Sequence, residues 1–120
     1  MLFRSYLILA EANAALNNLS AASQFYNDLR SNRITGYVNE TFLTKSEAIA
    51  KIYDERAREL CFEGFRYFDH IRRGLNIVRN NSDVQSANWK SLPSNDYRMK
   101  FPIPQTSTNV NPNLIQNPGY

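Results

Sequence analysis

Apolar residues recur every three or four positions through the first two thirds of the chain, then every two positions near Tyr97. The first spacing marks one face of a helix and the second marks a strand. Leu7, Ala10 and Ala14 lie on a narrow small-residue face, predicting a first helix over about Phe3 to Leu16. Asn17-Asn18 reads as its stop and Ser20 as the N-cap of a second helix reaching about Asn32. On that helix Ala21, Phe25 and Leu29 repeat every four residues. Alanines facing an Ala-x-x-x-aromatic pattern read as one tetratricopeptide-like hairpin, which needs neighbours to cover its faces.

A connector, Thr35 to Leu43, contains Gly36. Thr44-Lys-Ser-Glu47 then has the form of a capping box, so a third helix is expected from there to about Glu63. Ile49, Tyr53, Leu60 and Tyr67 share one stripe, and Arg56 and Glu63 fall on it too. Charges on an apolar stripe need partners. Glu59 follows Arg56 by three residues, Arg66 follows Glu63 by three, and Asp69 follows Arg66 by three. These five charges are therefore expected to form a structural network. Gly64 predicts a kink, after which a short helix runs from about Phe65 to Arg73 and ends on Gly74.

Residues 76–96 are polar and rich in Asn and Ser, as in a surface loop. Tyr97, Met99, Phe101 and Ile103 alternate with polar residues and Pro102, predicting a short strand that is either an edge or a lone extended segment. Residues 97–120 read as an extended Pro/Asn-rich belt, because its four prolines oppose a continued helix. The fold class expected is mostly α: hairpin, kinked long helix, loop and belt, in a single region of 120 residues.

The formal charge of +3 is spread among acidic residues, without the cationic stripe that nucleic acid requires. No apolar run approaches the roughly 18 residues of a membrane span. The chain opens directly into a helical pattern, so it reads as a fragment of a longer protein. Cys61, the one cysteine, is expected to be buried beside Leu60 and Phe62. His70 has no companions at metal-ligand spacing, and the four glycines are too dispersed for a phosphate loop. Glu55, Glu59, Glu63 and Asp69 raise the question of glycosidase chemistry. Each has an arginine within a turn, however, which keeps a carboxylate ionised and unsuited to general acid work. No catalytic residue, metal site or cofactor is expected. Trp89 and Tyr97 are the candidates for stacking on a sugar ring, with Tyr37 a distant third.

Three ordered motifs carry a resemblance. Glu55-Arg-Ala-Arg-Glu59-Leu-Cys-Phe-Glu63-Gly64-Phe-Arg66-Tyr-Phe-Asp69 resembles the signature near the C-terminus of the SusD/RagB family. Tyr6-Leu-Ile-Leu-Ala-Glu11-Ala is similar to that family's Ala-Glu-Ala helix. Phe101-Pro-Ile-Pro-Gln, Asn111-Pro-Asn-Leu and Gln116-Asn-Pro-Gly-Tyr are similar to its closing segment. Ser107 stands near a place where the family commonly has an acidic residue, and Tyr67 where it often has Trp.

The resemblance implies a non-enzymatic outer-membrane lipoprotein, exposed on the cell surface, whose lipid anchor lies in a missing N-terminal part. It implies capture of oligosaccharides and their delivery to a SusC-like TonB-dependent transporter. Since the family's ligand is usually held elsewhere, this chain is expected to be mainly scaffold. Glu63→Gln is then expected to lower stability without altering affinity. The competing reading is a tetratricopeptide-like protein-interaction module that binds no carbohydrate.

Overall fold

The computed structural model describes residues 2–84, 86 and 90–120. The chain forms two compact units, Met1–Phe65 and Arg66–Tyr120.

The first unit contains three helices: α1 (Leu2–Ala15), α2 (Leu19–Ser31) and α3 (Lys45–Glu59). Its core joins Leu7, Ala10 and Ala14 of α1 to Ala22, Tyr26 and Leu29 of α2 and to Ala48 and Ile52 of α3. Phe42 of the connector closes it, with its ring centroid 5.1 Å from that of Tyr26. The alanines let α1 pack closely against both other helices, as the small-residue face predicts.

Asn17-Asn18 does stop α1. Asn17 takes the left-handed conformation (φ 62°), and the amides of Asn17 and Asn18 return to the carbonyls of Ala14 and Asn13. That pairing is a Schellman motif, built here on Asn in place of glycine. Helix α2 starts one residue before the expected Ser20 cap, at Leu19. Thr44 caps α3 as expected, its hydroxyl accepting from the Glu47 amide at 3.2 Å. Glu47 reaches back one residue further than a capping box requires, and accepts from the Leu43 amide at 3.1 Å.

The expected kink at Gly64 is a full interruption. Helix α3 ends at Glu59, four residues earlier than predicted, and α4 (Phe65–Arg72) begins after a turn. Phe62 (φ 66°) and Gly64 (φ 79°) are both left-handed there, a geometry that no helical ladder continues through. Phe62 is fully exposed at the tip of this turn, and Cys61 beside it is exposed too. The expectation of a buried thiol fails because the helix that would have buried it has ended.

In the second unit α4 ends on a second Schellman motif. Gly74 (φ 62°) and Leu75 donate to the carbonyls of Ile71 and His70. The polar segment that follows contains a short antiparallel ladder, β1 (Ile77–Val78) with β2 (Ser91–Leu92), pairing Ile77 with Leu92 and Val78 with Ser91. No strand forms at Tyr97–Ile103. Asp96 accepts from the Arg98 amide and from that of Met99, which winds Tyr97–Met99 into a 3-10 turn. Beyond it the belt is interrupted by α5 (Gln105–Val110). Pro104 stands just outside that helix, where its fixed φ of −55° favours helix entry and its missing amide costs nothing.

Candidate functional site

Many charged groups of the first unit pair with one another. Arg30 donates to Glu55, a carboxylate only 5% exposed, and Arg58 donates to the same oxygen at 2.7 Å. The Arg30 guanidinium lies over the rings of Tyr26 and Tyr37, with centroid distances of 5.5 and 5.2 Å. Arg33 forks onto both oxygens of Glu59. Buried Arg56 faces Glu11 of α1 at 3.8 Å. Lys51 bridges Glu40 at 2.7 Å and Glu47 at 3.2 Å, and the hydrogen bond from Lys51 draws the Glu40 carboxyl below its ordinary range.

Two members of the expected five-residue network, Arg56 and Glu59, thus lie on the first unit, and they tie α3 to α1 and to the end of α2. Asp69 is buried in the second unit, where Arg72 donates to it at 2.8 Å. Arg66 is exposed on the first turn of α4. Glu63 departs from the expectation. It is exposed on the turn and makes no ion pair among the described residues, because the end of α3 carries it off the buried stripe.

Sequence reasoning missed a pair of buried polar residues on α2. Asn27 grips the connector by its backbone: its amide donates to the Glu40 carbonyl at 2.8 Å, and its oxygen accepts from the Glu40 amide at 3.0 Å and the Tyr37 hydroxyl at 2.8 Å. One turn earlier, Ser23 accepts from the Phe42 amide at 2.9 Å and donates to the Leu19 carbonyl at 2.8 Å. The available signal was polar residues four apart on a face otherwise occupied by Ala22, Tyr26 and Leu29. Burial, reinforced by the Glu40 charge, pushes the Tyr37 hydroxyl up to about 12. That tyrosine clamps the connector through its hydroxyl, with the Arg30 guanidinium over its ring.

The second unit holds a cavity of about 710 Å³. Ile77, Val78 and Leu92 of the ladder and Tyr67 of α4 supply its apolar wall. Arg66, Arg79, Arg98 and His70 supply its polar lining, together with Asn76 and Ser91. No carboxylate is among these residues. The ladder continues for one bond past β1, where the Arg79 amide donates to the Lys90 carbonyl at 2.8 Å. This fixes the backbone of Arg79 while its side chain stays exposed. Arg98 is already taken: it forks onto Asp96 through two bonds of 2.8 Å, and this pairing holds the Asp96 carboxyl down at about 2. His70 Nδ1 lies 2.9 Å from the Asn76 carbonyl oxygen, which places a proton on that nitrogen. Tyr67 donates to the Met99 carbonyl at 2.7 Å.

Tyr97, one of the two aromatic candidates, packs edge-on against Tyr120 with a centroid separation of 5.1 Å and is 47% exposed. Gly119 lies against the same ring, so close that a Cβ there would come within 2.5 Å of the ring carbon Cγ. Trp89 lies outside the described residues. Among the described residues no group of three His, Cys, Asp or Glu is placed to hold a metal ion. No helix among them is long and apolar enough to cross a membrane.

The profile of the SusD family matches residues 5–120. The chain belongs to the SusD family. A SusD-like protein, P25, of Formosa agariphila is 33% identical over an alignment that covers 96% of this chain and 23% of that protein. A crystal structure of a Bacteroides vulgatus protein described as sugar-binding superposes with a TM-score of 0.81 at 28% identity, covering 100% of this chain and 28% of the other. A SusD superfamily protein from the same species gives a TM-score of 0.72 at 29% identity, with 99% and 27% covered. The mostly helical fold read from the sequence is therefore the fold of a SusD family segment, and the chain spans about a quarter of the length of these relatives.

Proposed function

We infer that this chain is a segment of a cell-surface glycan-binding protein of the outer membrane, a non-enzymatic lipoprotein that passes oligosaccharides to a SusC-like TonB-dependent transporter. The observation that carries this reading is the family match across nearly the whole chain, supported by structural likeness to a protein described as sugar-binding. Geometry adds the division of labour. In the first unit Glu55 and Glu59 are held in ion pairs by Arg30 and Arg33, which gives both carboxylates a structural part to play. That unit serves as scaffold.

The test uses the full-length protein in affinity gels and calorimetry against a panel of polysaccharides. Glycan binding is expected, and Glu59→Gln is expected to lower the melting temperature while leaving glycan affinity in the folded fraction unchanged. A variant that melts normally and loses binding would show the ion pairs to be part of the ligand site. A full-length protein that binds no glycan but captures a helical protein partner would favour the tetratricopeptide-like interaction module. Co-purification of the transporter with the full-length protein, and its loss on removing the lipid anchor, tests the delivery step.

A further inference from the structure

The charges of the chain are not shared evenly between the two units. Residues up to Phe65 carry seven Lys and Arg against eight Asp and Glu, whereas residues from Arg66 carry seven against three. None of those three acids is among the residues that line the cavity. Asp69 is buried against Arg72, Asp96 is forked by Arg98, and Asp83 belongs to a turn in which its amide donates to the Asn80 carbonyl. The cavity therefore combines a cationic rim with an apolar wall and no acidic lining residue. Its volume of about 710 Å³ falls within the usual range for small-ligand sites, about 300–1,000 Å³.

We propose that this cavity binds an anionic sugar residue of the glycan, its carboxylate or sulfate ester on Arg79 and its ring against the apolar wall of Val78 and Leu92. The proposal rests on the glycan-binding reading above and deepens it by naming the substrate class. A guanidinium presents a planar fork that matches a carboxylate or sulfate edge through two parallel hydrogen bonds. Arg79 is suited to that role because the ladder holds its backbone at the Lys90 carbonyl while its side chain remains exposed. Val78, immediately before it, is 73% exposed, an apolar surface beside the cation. A sugar acid has the matching pair of features: an apolar ring face and a charged substituent at its edge.

Calorimetry on the full-length protein tests this with three oligosaccharides of equal length: an oligogalacturonide, a sulfated galactan and a neutral xylan. One or both anionic ligands should bind about tenfold or more tighter than the neutral one, and lose most of that margin as salt rises from about 50 to 500 mM. Whichever anionic ligand binds identifies the source of the charge. Arg79→Ala should weaken it about tenfold, Arg79→Lys should restore part of the loss, and neither should shift the melting temperature or neutral binding. Val78→Asp, which puts a carboxylate at the rim, should act in the same direction as Arg79→Ala. Equal binding of neutral and anionic glycans, or unchanged anionic affinity in both Arg79→Ala and Val78→Asp, overturns the proposal while leaving the glycan-binding reading standing. Absence of binding to every glycan removes that reading and this one with it.

Discussion

The two units reach an ordered state by different means. The first buries a continuous apolar core through three helices, and its polar groups are inserted where the core meets the connector. In the second, Met99 and Asp69 are the only buried residues among those described. Side chains that bind backbone hold it instead. Gln116 takes the place of a neighbouring strand for Ile103, accepting from its amide and donating to its carbonyl, both at 2.8 Å. Asn117 donates to the Phe101 carbonyl at 2.7 Å and the Tyr120 hydroxyl to the Lys100 carbonyl at 2.9 Å. Asn27 makes the same pair of bonds to Glu40 in the first unit, but inside a core. One device thus operates in two environments, and burial should decide its strength.

The sharpest break between the units is expected in the core. Leu29→Ala should cost about 2–5 kcal/mol in urea or thermal unfolding, while truncating Phe101, which is 69% exposed, should cost far less. Equal losses would mean that the second unit is as dependent on apolar burial as the first. Next comes the shared device. Asn27 is itself buried, so Asn27→Ala removes both partners of the Glu40 backbone and should cost about 1–3 kcal/mol. Gln116→Ala, where water can replace the lost partner, should cost about 0.5–1.5 kcal/mol. Amide exchange at Glu40 and Ile103 reads the two sites separately, and faster exchange at both with equal cost would show that burial is not the deciding variable.

A third effect is set by pH. The Tyr37 hydroxyl is raised from 10.0 to about 12, so its contribution is intact below pH 10 and is lost as pH climbs towards 12. The Asp96 carboxyl is lowered from 3.8 to about 2, so its contribution is intact above pH 4 and is lost as pH falls towards 2. Tyr37→Phe should flatten part of the alkaline loss and Asp96→Asn part of the acid loss. Melting curves in which Tyr37→Phe leaves the alkaline limb unchanged would remove Tyr37 from the account. The smallest effect is expected at Glu63. Its exposure between α3 and α4 puts Glu63→Gln within about 0.5 kcal/mol of the native chain, where the buried stripe read from the sequence would have required a marked loss.

The legible parts of the fold were those fixed by short-range chemistry. Spacing located all three helices of the first unit, and Asn17, Thr44 and Gly74 act as the stops and cap they were read to be. The end of α3 was not legible. The apolar stripe continues through Leu60 to Tyr67, but the chain leaves the helix at Leu60, and periodicity alone does not register a left-handed Phe62. The alternation from Tyr97 to Ile103 misled for a related reason. The Asp96 carboxylate captures the Arg98 amide while its backbone carbonyl takes the Met99 amide, and a turn forms before a strand can find a partner. Of the site, the charged residues of α3 were visible, yet Glu59 bonds to Arg33, twenty-six positions away in the chain. Partners at that distance are set by the packing of α2 on the rest of its unit, which a helical wheel does not contain. The cavity was invisible because Arg79 and Leu92 are brought together only by a ladder of two residue pairs.

The grip of α2 on its connector also says which substitutions this loop can accept. Asn27 and Ser23 read the amides of Glu40 and Phe42 and ignore the side chains between them. Val38 and Leu43 are each 80% exposed, and Asn39 and Thr41 face solvent as well. Those four positions are free to drift in sequence, even to proline at 39 or 41, while proline at 40 or 42 would delete a held amide. The connector can therefore be rewritten on its outer surface, one alternate residue at a time, without the helices beneath it recording the change.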